Sequence, residues 1–192
     1  MCRKDGFPKI RGGTKIVVAL TIEKMIQFYH GNIHDVSHFL KVYAFAKTIG
    51  ELERLTPQTQ ETLELAAVVH DIACPLCREK YGNTNGKKQE LESPPLIENF
   101  FAALSVSQET VQRITWLVAH HHTYGLSEDL DYQILLEADY IVNAGESGLP
   151  AKSVRSALQK IFKTKTGSEL LSSLYLHNSR SLSFMENAQM KI

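Results

Sequence analysis

Apolar residues in this chain recur every three or four positions almost throughout, and runs of alternating apolar and polar residues are too short to build a sheet. The spacing predicts an all-α fold, a compact multi-helix bundle. His38, Val42, Phe45, Ile49 and Leu52 show the pattern: they advance by four and three, the step of a core-facing seam. Helices are expected over Thr14 to Tyr29, Asp35 to Glu53, Gln58 to Ala73, Pro94 to Leu104, Gln108 to His121, Leu130 to Gly145, Ala151 to Phe162 and Ser168 to His177. Ser93 before Pro94 and Pro95, and Ser107 before Gln108, read as N-caps. Between them, residues 80–95 carry glycine and asparagine turn signals and read as an irregular connection, a solvated loop or a lid. The tail from His177 is expected to be partly flexible.

With 192 residues, the chain is expected to form one domain, 1–192, with a core over about 32–144 and C-terminal helices over 151–177. A domain of this size buries roughly two thirds of its unfolded surface and needs no disulfide or structural metal to fold. Lys plus Arg is 21 and Asp plus Glu is 21. Net charge is therefore zero, and no extended nucleic-acid surface or anionic membrane partner is expected. Three cysteines, Cys2, Cys74 and Cys77, do not make a secreted disulfide framework. The "CPLC" stretch lacks a second pair to complete a zinc site, so Cys74 and Cys77 are expected to be small buried or half-buried thiols. The N-terminus has no apolar signal stretch, and no segment offers about 18–20 uncharged apolar residues. A soluble cytoplasmic protein is expected.

Chemistry enters through groups that ought not to be buried. Leu63, Ala66, Ala67 and His70 lie on one helical stripe, so His70 points inward, with Asp71 beside it. His38 begins the seam of the preceding helix. Val111, Ile114 and Val118 lead to His121, with His120 and His122 to either side, and Asp139 lies between Leu135 and Val142 on another apolar stripe. Each placement alone fits a satisfied core residue. Four helices each presenting a His or Asp from an apolar seam do not, because each buried group costs kcal/mol unless paired or bound. One metal ion meets that requirement by accepting imidazole nitrogen and carboxylate oxygen together.

The order His38, then His70-Asp71, then His120 to His122, then Asp139 resembles the HD-domain metal-dependent phosphohydrolase superfamily. The stretches "HDVSHFLKVYAFAKTI", "ELAAVVHDIA" and "EADYIVNA" are similar to that family's first-histidine helix, His-Asp helix and distal aspartate element. The resemblance covers about Asn32 to Ala144. It implies an all-α domain, with His38, His70, Asp71 and Asp139 as ligands of a divalent ion, Mn, Fe, Co, Ni or Zn. It also implies hydrolysis of a phosphate ester, of a nucleotide or related small phosphorylated metabolite, by metal-activated water. Asp71, His121 and His122 are then catalytic candidates, and Lys41, Lys87, Lys88 and Tyr124 candidates for substrate contact. Two departures matter. Members with two metals place a further histidine after the His-Asp pair, where this chain has Gln89 and Glu90, so one ion is expected. Lys41 stands where the family has arginine and lacks the planar fork that grips an oxyanion twice. His34, four residues before His38, competes for the ligand role, but it sits at a helix start whereas His38 heads a full seam. Two other readings of the same residues are a ligand-sensing module that keeps the metal without turnover and an iron-dependent oxygenase.

Overall fold

The computed structural model describes residues 14–176. Cys2 and the expected flexible tail lie outside them. Nine helices are found among the described residues: α1 (Thr14–Phe28), α2 (Ile33–Leu52), α3 (Pro57–Val69), α4 (Cys74–Tyr81), α5 (Gly86–Phe101), α6 (Gln108–Val118), α7 (Leu130–Glu146), α8 (Ala151–Lys160) and α9 (Lys165–Tyr175). No strand occurs among them, and no helix is long and apolar enough to cross a membrane.

Helix α3 is the hub, packed against α1, α2, α6 and α7. Its sequence explains this: Leu63 and every residue from Leu65 to Val69 are fully buried, as a helix apolar on all sides must be. Its start is set by Thr56, whose side chain accepts a hydrogen bond from the Thr59 amide, followed by Pro57 in the first turn. Glu64 is the polar exception, bound by Lys47 at 2.7 Å and Gln60 at 2.9 Å. Helix α2 lies between α3 and α7, with Phe39, Val42, Ala46 and Ile49 fully buried, and one apolar cluster runs from Val18 on α1 to Leu171 on α9.

The largest departure from the sequence reading is at residues 80–95. Only Gly82 to Asn85 is irregular; on either side stand α4 and α5, so the segment is not one long irregular connection. Gly82 closes α4 in the left-handed region at φ 70°, donating its N–H to the Arg78 carbonyl. Asn85 starts α5 by accepting from the Lys87 amide, so Ser93 is not an N-cap. Pro94 and Pro95 lie inside α5, which survives the loss of two N–H donors in part because the Ser93 hydroxyl reaches back to the Glu90 carbonyl at 3.4 Å. Local proline signals lose here to packing of α5 on α6 through Ile97, Phe100 and Phe101, all buried. Ser107 does cap α6, accepting from the Thr110 amide.

Helices α3 and α6 end earlier than their periodicity implies, at Val69 and Val118, and the residues after them turn back toward the core. On α7, Glu137 is fully buried and ties the α8–α9 connection to the bundle. It accepts from Gln133 Nε2 at 2.6 Å, from the Lys163 and Thr164 amides at 2.7 and 2.9 Å, and from the Thr164 hydroxyl. Glu137→Ala is expected to cost about 3 kcal/mol of unfolding free energy in a urea titration, because several buried donors lose their acceptor together.

Candidate metal centre

His38 stands in the second turn of α2, His70 at the C-terminal end of α3, Asp71 in the turn that follows, and Asp139 midway along α7. Three separate segments thus deliver four side chains to one point. His38 Nε2 lies 3.2 Å from His70 Nε2, 3.3 Å from Asp139 Oδ1 and 3.5 Å from Asp71 Oδ2; His70 Nε2 lies 3.5 and 3.6 Å from the same two oxygens. His70 is fully buried, and His38 and Asp139 are buried.

Hydrogen bonds at the far side of each ring fix its tautomer. His70 Nδ1 donates to the Ala67 carbonyl at 2.8 Å and His38 Nδ1 to a Glu146 oxygen at 2.9 Å, acceptors that leave the proton on Nδ1. With both rings neutral, two Nε2 lone pairs and two carboxylates face one another, an arrangement that calls for positive charge, either a bound cation or a proton taken up by a ring. Metal bonds to such donors are about 2.0–2.2 Å long, which separates neighbouring ligands by about 3–3.5 Å, close to the distances found. The donor set of nitrogen and oxygen fits a divalent transition metal ion, and His38, His70, Asp71 and Asp139 could hold it.

Electrostatics point the same way. Burial works against a charged His38, but Asp139, Asp71 and Glu146 outweigh it and hold its pKa at about 9. Burial likewise opposes ionisation of Asp71 and Asp139, yet the surrounding histidines keep both carboxyls well below the usual range.

The histidine cluster after α6 divides. His120 turns away, its Nδ1 2.7 Å from the Trp116 carbonyl and its ring stacked on Trp116. His121 is buried, with Nδ1 donating to the Val118 carbonyl at 2.7 Å and Nε2 3.7 Å from Asp71 Oδ1. Its ring centroid is 3.8 Å from that of His122. The Nε2 atoms of both are buried without a hydrogen-bond partner. Burial and the neighbouring His121 lower the His122 pKa to about 4, so its imidazole is neutral at pH 7. Asp71, His121 and His122 form a second trio of convergent donors that shares Asp71 with the first group.

Among the described residues, the HD domain model matches 35–144, more than half of the chain. The chain belongs to the HD-domain family. This HD domain also resembles the crystal structure of a predicted HD superfamily hydrolase from an uncultured Thermotogales bacterium. The TM-score is 0.56 at 18% identity, covering 91% of this chain and 88% of the other. Comparison with curated protein sequences finds no match.

The other expected site residues surround this centre at different depths. His34 has a side chain 76% exposed and lies outside the four-donor group. Lys41 bonds Glu146 at 3.1 Å and so stands behind His38. Lys87 bonds Glu90 at 2.8 Å and the Thr123 hydroxyl at 2.5 Å, on the rim of the His121–Tyr124 turn, whereas Lys88 lies over the Tyr81 ring at 4.3 Å. Tyr124 is exposed, and burial of its phenol oxygen together with the Asp139 charge raises its pKa. Cys74 and Cys77 are buried free thiols; Cys74 donates to Gln89 Oε1 at 3.2 Å, and burial holds it protonated.

Several residues of the HD domain escaped the sequence reading. Glu146 lies two turns beyond Asp139 on the same face of α7, a spacing that was there to be seen. Asn143, one turn beyond Asp139, donates to its Oδ1 at 2.7 Å. Glu90 accepts from the His122 amide and the Thr123 hydroxyl, which holds the turn. Gly86 leaves room for His122: a methyl group there would meet the ring at 2.6 Å. Glu146→Gln is expected to weaken metal binding by about 10- to 100-fold in a metal titration with the circular dichroism spectrum unchanged, the usual effect of losing the carboxylate behind a ligating histidine.

Proposed function

We propose that the protein is a metal-dependent phosphohydrolase acting on the phosphate ester of a small metabolite, in the cytoplasm. HD-domain membership supports the coarser reading, a metal-dependent hydrolase. The observation that carries the proposal is the meeting of four acceptor atoms on His38, His70, Asp71 and Asp139, next to two histidines whose Nε2 atoms lack partners.

An ion bound by those four residues supplies Lewis acidity, polarising a phosphoryl oxygen and making water a stronger acid. The chain does the rest. Glu146 and the Ala67 carbonyl lock the His38 and His70 rings so that both Nε2 atoms face inward. Asn143 orients Asp139, and the Tyr29 hydroxyl, 3.0 Å from the Asp71 carbonyl, steadies the turn that presents the Asp71 carboxylate. His121 and His122 lie beside the four-donor group, where a ring N–H donates to a phosphoryl oxygen or to the departing oxygen of the ester; for His121, whose Nδ1 is committed to Val118, the donor is the imidazolium form, which burial opposes and Asp71 favours more strongly. Lys87, on the rim, meets further negative charge on the substrate.

The test is elemental analysis of protein purified without added metal, followed by a screen of phosphorylated metabolites with Mn, Fe, Co, Ni and Zn. About one ion per chain together with phosphate release is expected. A retained ion with no phosphoester turned over would favour a ligand-sensing module instead.

A further inference from the structure

The stretch Asn83-Thr84-Asn85-Gly86 leads into α5 and holds the only Asn-Gly pair in the sequence. Asn85 is exposed. Its side chain caps α5 by accepting from the Lys87 amide at 3.1 Å, with the Asn85 backbone at φ −60° and ψ 130°. The Gly86 N–H stands at the first position of the helix, where no intrahelical acceptor reaches it. A side-chain amide carbon and a backbone nitrogen able to attack it are thus neighbours, and glycine brings no side chain to shield one from the other.

Gly86 is held in place by the turn after α6. A Cβ there would meet the His122 ring at 2.6 Å. Glu90, one turn further along α5, accepts from the His122 amide at 3.2 Å and fixes the crossing. The missing side chain that lets His122 pack is therefore the same one that leaves Asn85 unshielded.

We propose that Asn85 is a site of spontaneous deamidation and that its isoaspartate product displaces His122. The inference goes beyond the phosphohydrolase reading and does not depend on it. In the first step the Gly86 nitrogen attacks Asn85 Cγ: the new C–N bond forms, the bond from Cγ to the side-chain nitrogen breaks, and the Gly86 proton leaves with that nitrogen as ammonia. The cyclic imide then takes up one water. Attack at Cγ breaks the new bond and gives aspartate, whereas attack at the main-chain carbonyl breaks the original peptide bond and leaves the chain running through Cβ as isoaspartate. Rotation of Asn85 out of its extended conformation must come first and releases the Lys87 amide, so fraying of the first turn of α5 sets the rate.

The two products act differently on the fold. Aspartate caps a helix as well as asparagine does, so α5 and His122 stay in place. Isoaspartate adds a methylene to the backbone directly before Gly86, and the close packing of the His122 ring on that residue leaves no room for the shift.

The full chain is incubated in mildly alkaline buffer, and isoaspartate is located by peptide mapping with isoaspartyl methyltransferase labelling. About tenfold more is expected at 85 than at Asn83, whose attacking nitrogen belongs to the β-branched Thr84. Asn85→Ser, which keeps a capping hydroxyl, is expected to gain no acid at this position. Diethyl pyrocarbonate, which acylates accessible imidazole nitrogen, reads His122, with the exposed His34 as internal standard. In fresh protein the buried Nε2 of His122 reacts slowly. The deamidated fraction, separated by its added negative charge, is expected to react at His122 about tenfold faster, and Asn85→Asp at the fresh rate. Isoaspartate at 85 no greater than at 83, or equal His122 reactivity in the deamidated fraction and in Asn85→Asp, would overturn the proposal.

Discussion

Asp71→Ala and His70→Ala proteins, purified without added metal, are expected to carry none of the ion that wild type retains, with turnover of any phosphoester that wild type hydrolyses lower by about 10³-fold or more. The magnitude follows from the several kcal/mol that a bound ion supplies to charge developing on phosphoryl oxygens. Asp71 is the more telling position, because its carboxylate belongs to both groups of convergent donors, with Oδ2 facing His38 and His70 and Oδ1 facing His121. Helical content is expected to hold. The apolar cluster that joins α1 to α9 does not pass through Asp71, and the isosteric Asp71→Asn variant separates loss of charge from loss of packing. Elemental analysis and circular dichroism read the two effects independently. Full metal occupancy in either alanine variant would remove that residue from the ligand set.

Replacing His122 with alanine is expected to lower turnover by about 10²- to 10⁴-fold while the ion held by His38, His70, Asp71 and Asp139 stays bound, the range for losing an acid, base or oxyanion donor. His122 is only partly buried and its Nε2 has no protein partner, so its removal disturbs little else. His121→Ala is expected to be more damaging to the protein itself. That ring is buried, bonded to the Val118 carbonyl and set against Asp71, so alanine leaves a cavity and an unbalanced carboxylate. Metal content decides the interpretation. One ion in wild type and in His122→Ala supports a purely catalytic role, whereas a fall from two ions to one assigns Asp71, His121 and His122 to a second metal site. Unchanged metal content and unchanged activity would make the turn structural.

Which residues converge on the centre could be read from the order of the chain. Helical periodicity needs only near neighbours, and it put His38, His70 and Asp139 on inward stripes because an inward polar group on an apolar seam stands out locally. The all-α architecture followed from the same signal. Where local signals opposed packing, the sequence misled. Pro94 and Pro95 read as a helix start, yet α5 begins eight residues earlier at Gly86, because burial of Ile97, Phe100 and Phe101 against α6 outweighs the backbone bonds the prolines remove.

Other features exist only once distant segments meet. Glu146 is an ordinary glutamate near a helix end until the packing of α2 on α7 brings it 2.9 Å from His38. Lys41, read as facing a phosphate, is turned to the same glutamate. Gly86 has no meaning by itself; the passage of the His122 ring over α5 gives it one. Periodicity tells a side chain which way to face, because that depends on neighbours one helical turn away. It does not tell a side chain what it will meet, because that is set by how helices far apart in sequence pack together.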